Sequence, residues 1–406
     1  MIRHVRIIQL ASAALAACGM LASAPASAQG VKIGVLNDQS GVYADFSGKG
    51  SIEGAKMAIE DFGGSVLGQK IELVTADHQN KPDLASAIAR RWYDAEGVDM
   101  ITDLNNSSVA LAVQQIAADK KKIDIVVGSS TPALTGSACA PYGFQWAFDT
   151  HGLAVSTGGA LVKTGADTWF FITVDYAFGH ALEQDTSDVI AASGGKVLGH
   201  VLYPLNTPDF SSFLLQAQSS KAKIVAIANA GQDTINSVKQ AAEFGIVAGG
   251  QRLAALLMTL AEVHGLGLQA AQGLVLSESY YWDLNDRTRE FGERFFKRIG
   301  RMPNMVHAGV YSATLQYLKA VKAAGTKDAD AVAKKLKELK ELPVDDAFTA
   351  HGYVQANGRM VTDLYLFEVK KPSESKRDWD YYKLLATVPG DTAYPTAANS
   401  GCPLTK

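Results

Sequence analysis

Cysteine, charge and long apolar runs are all scarce in this chain of 406 residues, and each shortage removes a class of protein. Three cysteines are too few for a disulfide-dense scaffold or a cysteine-built metal module. Charged residues make up 19% of the chain and the net charge is −3, without a basic stripe, so nucleic acid and anionic lipid are poor partners. Past the first 28 residues no apolar run approaches the length that crosses a bilayer. Common enzyme signatures are missing too. No G-x-G-x-x-G follows the first expected strand, and there is no Walker lysine, G-x-S-x-G or H-E-x-x-H. What the chain does have is 47% hydrophobic residues and enough length for two cores.

The N-terminus reads as an export signal. Arg3, His4 and Arg6 precede an apolar run over residues 7–17, and Ala26-Ser27-Ala28 is a small-residue cleavage pattern, so residues 1–28 are expected to be removed. Leu15-Ala16-Ala17-Cys18 competes as a lipoprotein box that would leave Cys18 acylated. Cleavage deletes Arg3 and Arg6 and no acid, taking the charge from −3 to −5. Export to the periplasm leaves Cys139 and Cys402 in an oxidising compartment, where an isolated pair is expected to bridge; two free thiols are the alternative. The bridge would close a very long loop, stabilising the fold by roughly 3–5 kcal/mol on the chain-entropy model.

After the leader, strand-then-helix units follow one another. Apolar strands are expected at 31–36, 71–75, 98–103 and 123–127, with helices between them carrying Ile52, Ala55 and Ile59, then Leu84, Ile88 and Trp92, then Val109, Val113 and Ile116 on one face. A second series has strands at 169–174, 197–202 and 223–229, a helix over Phe210, Phe213, Leu214 and Ala217, and a return from Leu274. Helices around 291–299 and 311–321 come next, and 334–342 reads as a solvated amphipathic helix. Residues 348–369 alternate like paired strands about an Asn357-Gly358 turn. Near-continuous apolar strands alternating with helices argue for parallel sheets covered on both faces, and so for an α/β fold.

Ligands of open α/β sheets sit beyond the carboxyl ends of the strands. The loops there, 37–46, 104–108, 128–131, 175–179, 230–233 and 277–283, hold hydroxyls, amides and aromatics with few charges. That composition suits binding rather than chemistry. Asn105-Asn106-Ser107-Ser108 leads into a helix, so its N–H groups lie at a positive helix end, and Ser129-Ser130-Thr131 supplies hydroxyls to the same region. Together they are candidates to hold a carboxylate without arginine; helix capping by Ser107 or Ser108 alone is the plainer alternative. His180 and Glu183, three apart on an expected helix, read as a surface contact rather than a metal site, and no cofactor is expected. Asp77-His78 reads as loop-fixing for want of a nucleophile beside it.

Several segments recur together in this order: Val31-Lys32-Ile33-Gly34, Gly54-Ala55-x-x-Ala58, Ser129-Ser130-Thr131-Pro132-Ala133-Leu134-Thr135, Asp175-Tyr176-Ala177-Phe178-Gly179 and Gln240-Ala241-Ala242-Glu243-Phe244-Gly245. In this the chain resembles the leucine/isoleucine/valine-binding family of periplasmic ABC-transporter solute receptors. The resemblance implies the type I periplasmic binding protein fold: two Rossmann-like lobes with parallel central sheets, joined by three crossover segments. It places lobe 1 at 31–150 plus 280–343, lobe 2 at 151–279 plus 344–370, and a C-terminal tail at 371–406. It implies a monomeric, non-enzymatic receptor whose partners are a small ligand and ABC transporter permease subunits. The loops around Asn105 and Ser129 would grip the ligand carboxylate, and Phe178 with Tyr176 would pack from the second lobe. The candidate site is therefore Tyr43, Asn105, Asn106, Ser107, Ser129, Ser130, Thr131, Tyr176, Phe178, Asp233 and Tyr280.

One departure bears on the ligand. Amino-acid receptors of this family carry an acid after the strand before the segment matching Ala270-Ala271-Gln272-Gly273, to pair the ligand ammonium. Here that stretch is Ala254-Ala255-Leu256-Leu257-Met258-Thr259, with no acid. A buried, unpaired ammonium costs several kcal/mol. A carboxylate with an apolar or aromatic body is thus favoured, and an amino acid stays open if Asp233 or Glu278 substitutes. Rival readings are an α/β enzyme using Asp77 and His78, and the sensing domain of a signalling receptor.

Overall fold

The computed structural model describes residues 30–165, 167–338 and 342–406. The expected leader, with Cys18, lies outside the described residues. The first series forms a parallel sheet. Strands β1 (Lys32–Asn37), β2 (Glu72–Asp77), β3 (Met100–Asp103), β4 (Ile123–Val126) and β5 (Gly143–Gln145) line up in the order β2-β1-β3-β4-β5. Ile33, Val35, Ile101, Ile125 and Val126 are fully or almost fully buried because helices cover both faces. Those helices are α1 (Gly48–Phe62), α2 (Pro82–Asp94) and α3 (Ser107–Lys120).

The second series repeats the pattern, with β6 (Thr168–Val174), α4 (Ala177–Ala192), β7 (Lys196–Tyr203), α5 (Ser211–Ser219), β8 (Ile224–Ala228), α6 (Gly231–Glu243), β9 (Arg252–Ala255) and α7 (Leu260–Leu266). Its parallel sheet runs β9-β8-β6-β7. Next comes β10 (Val275–Glu278), and the chain returns to the first half as α8 (Asp286–Ile299), α9 (Met305–Ala324) and α10 (Ala329–Leu336). α9 lies along α1 and is buried over nearly its whole length. The amphipathic helix expected at 334–342 is α10, which ends earlier at Leu336; residues 339–341 fall outside the described ones.

The C-terminal part departs from expectation. Residues 353–354 and 360–361 do form a hairpin around Asn357-Gly358, but it docks on the first sheet rather than the second. Gln145 N–H donates to the Gly358 carbonyl (3.0 Å), and Asn357 donates to the Thr135 carbonyl (2.9 Å). The buried Arg359 guanidinium donates to the carbonyls of Phe148 (3.0 Å) and Trp146 (3.1 Å) and stacks on Tyr394. Residues 344–370 thus make contacts with both halves. Only β11 (Leu364–Val369) pairs with β10, antiparallel, and β12 (Tyr382–Val388) extends that sheet from within the expected tail. The chain then crosses back, where Cys402 bonds to Cys139, 263 residues apart in sequence.

Candidate functional site

The carboxyl ends of β1, β3 and β4 meet at one point of the first half. There β3 ends in two consecutive left-handed residues, Asp103 (φ 79°) and Leu104 (φ 50°), a costly conformation for residues other than glycine. The turn is held by the Asp103 carboxylate, which accepts from Asn37 Nδ2 (2.9 Å) and Ser47 Oγ (2.6 Å); burial pushes its pKa up. The turn presents Asn105 beside Gly128, where a Cβ would stand 2.5 Å from that of Asn105, so this approach needs glycine. The Asn105 amide orientation is fixed, because Oδ1 accepts the Asp38 N–H at 2.8 Å. Its Nδ2 is buried and makes no hydrogen bond among the described residues, with the His78 ring lying beside the amide.

Asn106 is the N-cap of α3, its Oδ1 accepting from the N–H groups of Ser108 (3.0 Å) and Val109 (3.2 Å). Ser107 opens the helix and meets Ser129 hydroxyl to hydroxyl at 3.0 Å, while its oxygen also accepts the Thr131 N–H. The two serines spend one proton between them, which leaves one hydroxyl proton to donate.

Aromatic rings come from both halves. Tyr43, from the loop after β1, and Tyr176, before α4, share a hydrogen bond between hydroxyls at 2.7 Å. Phe178 packs against Tyr176, and Phe46 sits edge-on to Phe148. Tyr43, Phe46, Asn105, Ser107, Gly128, Ser129, Ser130, Tyr176, Phe178, Ala230 and Leu257 line one narrow cavity of ≈ 10 Å³, and none of them is charged. A wider groove of ≈ 330 Å³, edged by Asp45, Asn206, Gln232 and Glu262, runs between the same two halves.

Seven of the residues singled out in the sequence thus surround one cavity: Tyr43, Asn105, Ser107, Ser129, Ser130, Tyr176 and Phe178. Four do not. Asn106 caps its helix, and Thr131 Oγ1 caps the turn Pro132–Leu134. Tyr280 is core: it stacks on Phe348 and donates to the Thr288 carbonyl. Asp233 is buried in the first turn of α6, where Oδ2 accepts the Asn206 N–H (3.1 Å) and burial raises its pKa to about 6. Glu278 is turned away as well. Its carboxylate accepts from Leu260 N–H (2.9 Å), Tyr382 hydroxyl (2.8 Å) and Met305 N–H (3.2 Å). Phe46 was visible in sequence as an aromatic in a strand-end loop. Gly128, Ala230 and Leu257 carry no chemical signal, since they contribute backbone and apolar surface.

Asp77 and His78 fix their loop. Asp77 accepts from Ser40 Oγ (2.6 Å) and the Gln79 N–H (2.8 Å). Buried His78, its pKa lowered by burial to about 4, accepts the Asn80 N–H at Nδ1. Glu183 accepts from Thr173 and pairs with His200, while His180 pairs with Asp175.

A sequence model of the periplasmic binding protein family matches residues 30–376. The chain belongs to that family. Its members are solute-binding receptors of ABC transporters, which hold small ligands outside the cytoplasm and work with permease components. A periplasmic binding protein from Burkholderia mallei is 51% identical, covering 93% of this chain and 99% of that one, with a TM-score of 0.90. A Leu/Ile/Val-binding protein homologue of Brucella melitensis is 25% identical over 90% of this chain and 94% of its own length. A solute binding protein from R. palustris, solved in complex with benzoate, shares the fold at 22% identity, covering 93% of this chain and 100% of that one, with a TM-score of 0.81. No helix among the described residues is long and apolar enough to cross a membrane.

Proposed function

We propose that this periplasmic binding protein captures a small carboxylate with an apolar or aromatic body, closing its two halves over it as monomeric receptor of an importer. The carrying observation is the cavity wall: a buried Asn105 Nδ2 that makes no hydrogen bond among the described residues and a spare serine proton beside phenylalanine and tyrosine rings, with no charged side chain. Hydrogen bonds to a carboxylate are charge-assisted and among the stronger ones. An amino acid's ammonium would find no acid in that wall: Glu278 is held by three donors, and Asp233, near the tyrosines but not in the wall, has its Oδ2 taken by the Asn206 N–H. On this reading the lobes are 31–150 with 280–343, and 151–279 with β10's partner strands; the 353–361 hairpin rides with the first. Residues 1–28 act as the export signal.

A branched-chain amino acid is the second reading, favoured by what the Brucella relative is named for; the shared fold with the benzoate-bound protein favours the first. A thermal-shift series with benzoate, cinnamate, leucine and valine separates them, because a ligand that binds only the folded state raises the melting temperature. Benzoate or cinnamate is expected to raise it. Stabilisation by leucine or valine, with no response to either aromatic acid, would reject the aromatic-acid reading.

A further inference from the structure

We infer that the Tyr43–Tyr176 pair reads a hydroxyl on the ligand's ring, which narrows the ligand class to hydroxylated aromatic acids. The inference rests on the reading of the cavity as an aromatic-acid site. Two tyrosine hydroxyls at 2.7 Å use one proton for the bond between them. The accepting hydroxyl keeps its own proton, and no other hydrogen bond reaches either oxygen from the described residues. One buried donor and spare acceptor lone pairs are thus left in the cavity wall. A ligand hydroxyl, donor and acceptor at once, satisfies both; a methyl group of the same size satisfies neither.

The surroundings decide which end of the ligand goes there. Tyr203 and Asp233 lie close enough to the pair to raise the pKa of Tyr43, and Asp233 also raises that of Tyr176, in both cases after the larger effect of burial. Both tyrosines therefore stay protonated and able to donate. The Tyr203 hydroxyl and the Asp233 carboxyl lie against each other there, so this side of the site is polar. It is also no place for an anion, because ionised Asp233 would repel one. The carboxylate is left to Asn105, Ser107 and Ser129, and a neutral hydroxyl to the tyrosines. Tyr43 comes from the first half and Tyr176 from the second, so such a ligand also bonds to the contact that joins the halves.

Isothermal titration of the exported full chain tests this with matched acids: 4-hydroxybenzoate against 4-methylbenzoate, and 3-hydroxybenzoate against 3-methylbenzoate. The native protein is expected to prefer a hydroxylated acid over its methyl twin by about tenfold or more, the scale of one buried hydrogen bond. In Y43F and Y176F that ratio is expected to fall toward one, whatever happens to the methyl acid. Equal affinities within both native pairs, or a ratio unchanged in both variants, would overturn the inference while leaving the aromatic-acid reading standing. Failure of all four acids to bind overturns that reading and this inference together. Should the variants not fold, the native ratios decide alone.

Discussion

The two ends of the Asn105 amide differ in what they bond. Its oxygen is committed to the Asp38 N–H, while its buried Nδ2 makes no hydrogen bond among the described residues; a ligand oxygen there would gain a bond of about 1–3 kcal/mol. Replacing that donor by an acceptor inverts the site. Asn105→Asp keeps the bond to Asp38 but aims a carboxylate at the ligand's own, and benzoate affinity is expected to fall at least about a hundredfold. Asn105→Ala should cost roughly 10- to 100-fold, the range for hydrogen bonds to charged groups. Calorimetry with benzoate, alongside circular dichroism to confirm folding, measures both. Native-like affinity in Asn105→Asp would remove Asn105 from the carboxylate site. Residue types made this position legible in the sequence, since amides and hydroxyls after a strand and before a helix are uncommon company for a core. They did not distinguish Asn105 from Asn106, because one turn points the first into the cavity and the second onto its own helix. Nor did they separate Tyr176 from Tyr280: a tyrosine in a strand-end loop reads the same whether it lines a cleft or stacks on Phe348.

Among elements, the central strands were readable and the peripheral ones were not, for a physical reason. β1, β4, β6 and β8 are buried at nearly every position and so are mostly apolar, with Asp124 in β4 a buried exception. β5 has only three residues, and β12 exposes much of its Leu384-Leu385 surface, so neither shows a periodicity. The hairpin was legible from Asn357-Gly358, but its side of the molecule was not, because Arg359 fixes that through contacts distant in sequence. Glu278, at the end of β10, shows how elements are joined. Its carboxyl group accepts the first N–H of α7 and the first N–H of α9, helices belonging to opposite halves. Burial raises its pKa from 4.5 to about 8. A raised acid binds its proton more tightly folded than unfolded. Its contribution to stability is complete below about pH 4.5 and is lost as pH rises toward 8. Glu278→Gln cannot ionise, so the melting temperature of the variant minus that of the native protein is expected to increase steadily from pH 5 to pH 8. A difference that stays flat across that window would show that Glu278 titrates normally.

For the whole molecule the decisive feature is how closely the halves approach. The Gln232 N–H of the second half donates to the Val42 carbonyl of the first at 2.9 Å. Gly231, at φ 64°, leaves no room beside that contact, and a Cβ there would lie 2.3 Å from the Val42 oxygen and 2.8 Å from the Tyr43 ring. If ligand is held by closure, Gly231→Ala obstructs the closed state and spares the open one. An overlap of that size costs about 1–3 kcal/mol, so benzoate affinity is expected to fall by roughly 5- to 100-fold. Small-angle scattering should then show the native protein contracting on saturation with benzoate, and the variant contracting less. Gly231 also has a left-handed backbone, which penalises alanine on its own account. Gly250→Ala separates the two effects: that glycine is left-handed too (φ 91°) but has open space where the Cβ would go. Equal losses of affinity in the two variants would assign the effect to backbone strain. A loss confined to Gly231→Ala, with contraction impaired, assigns it to the closing of one half upon the other.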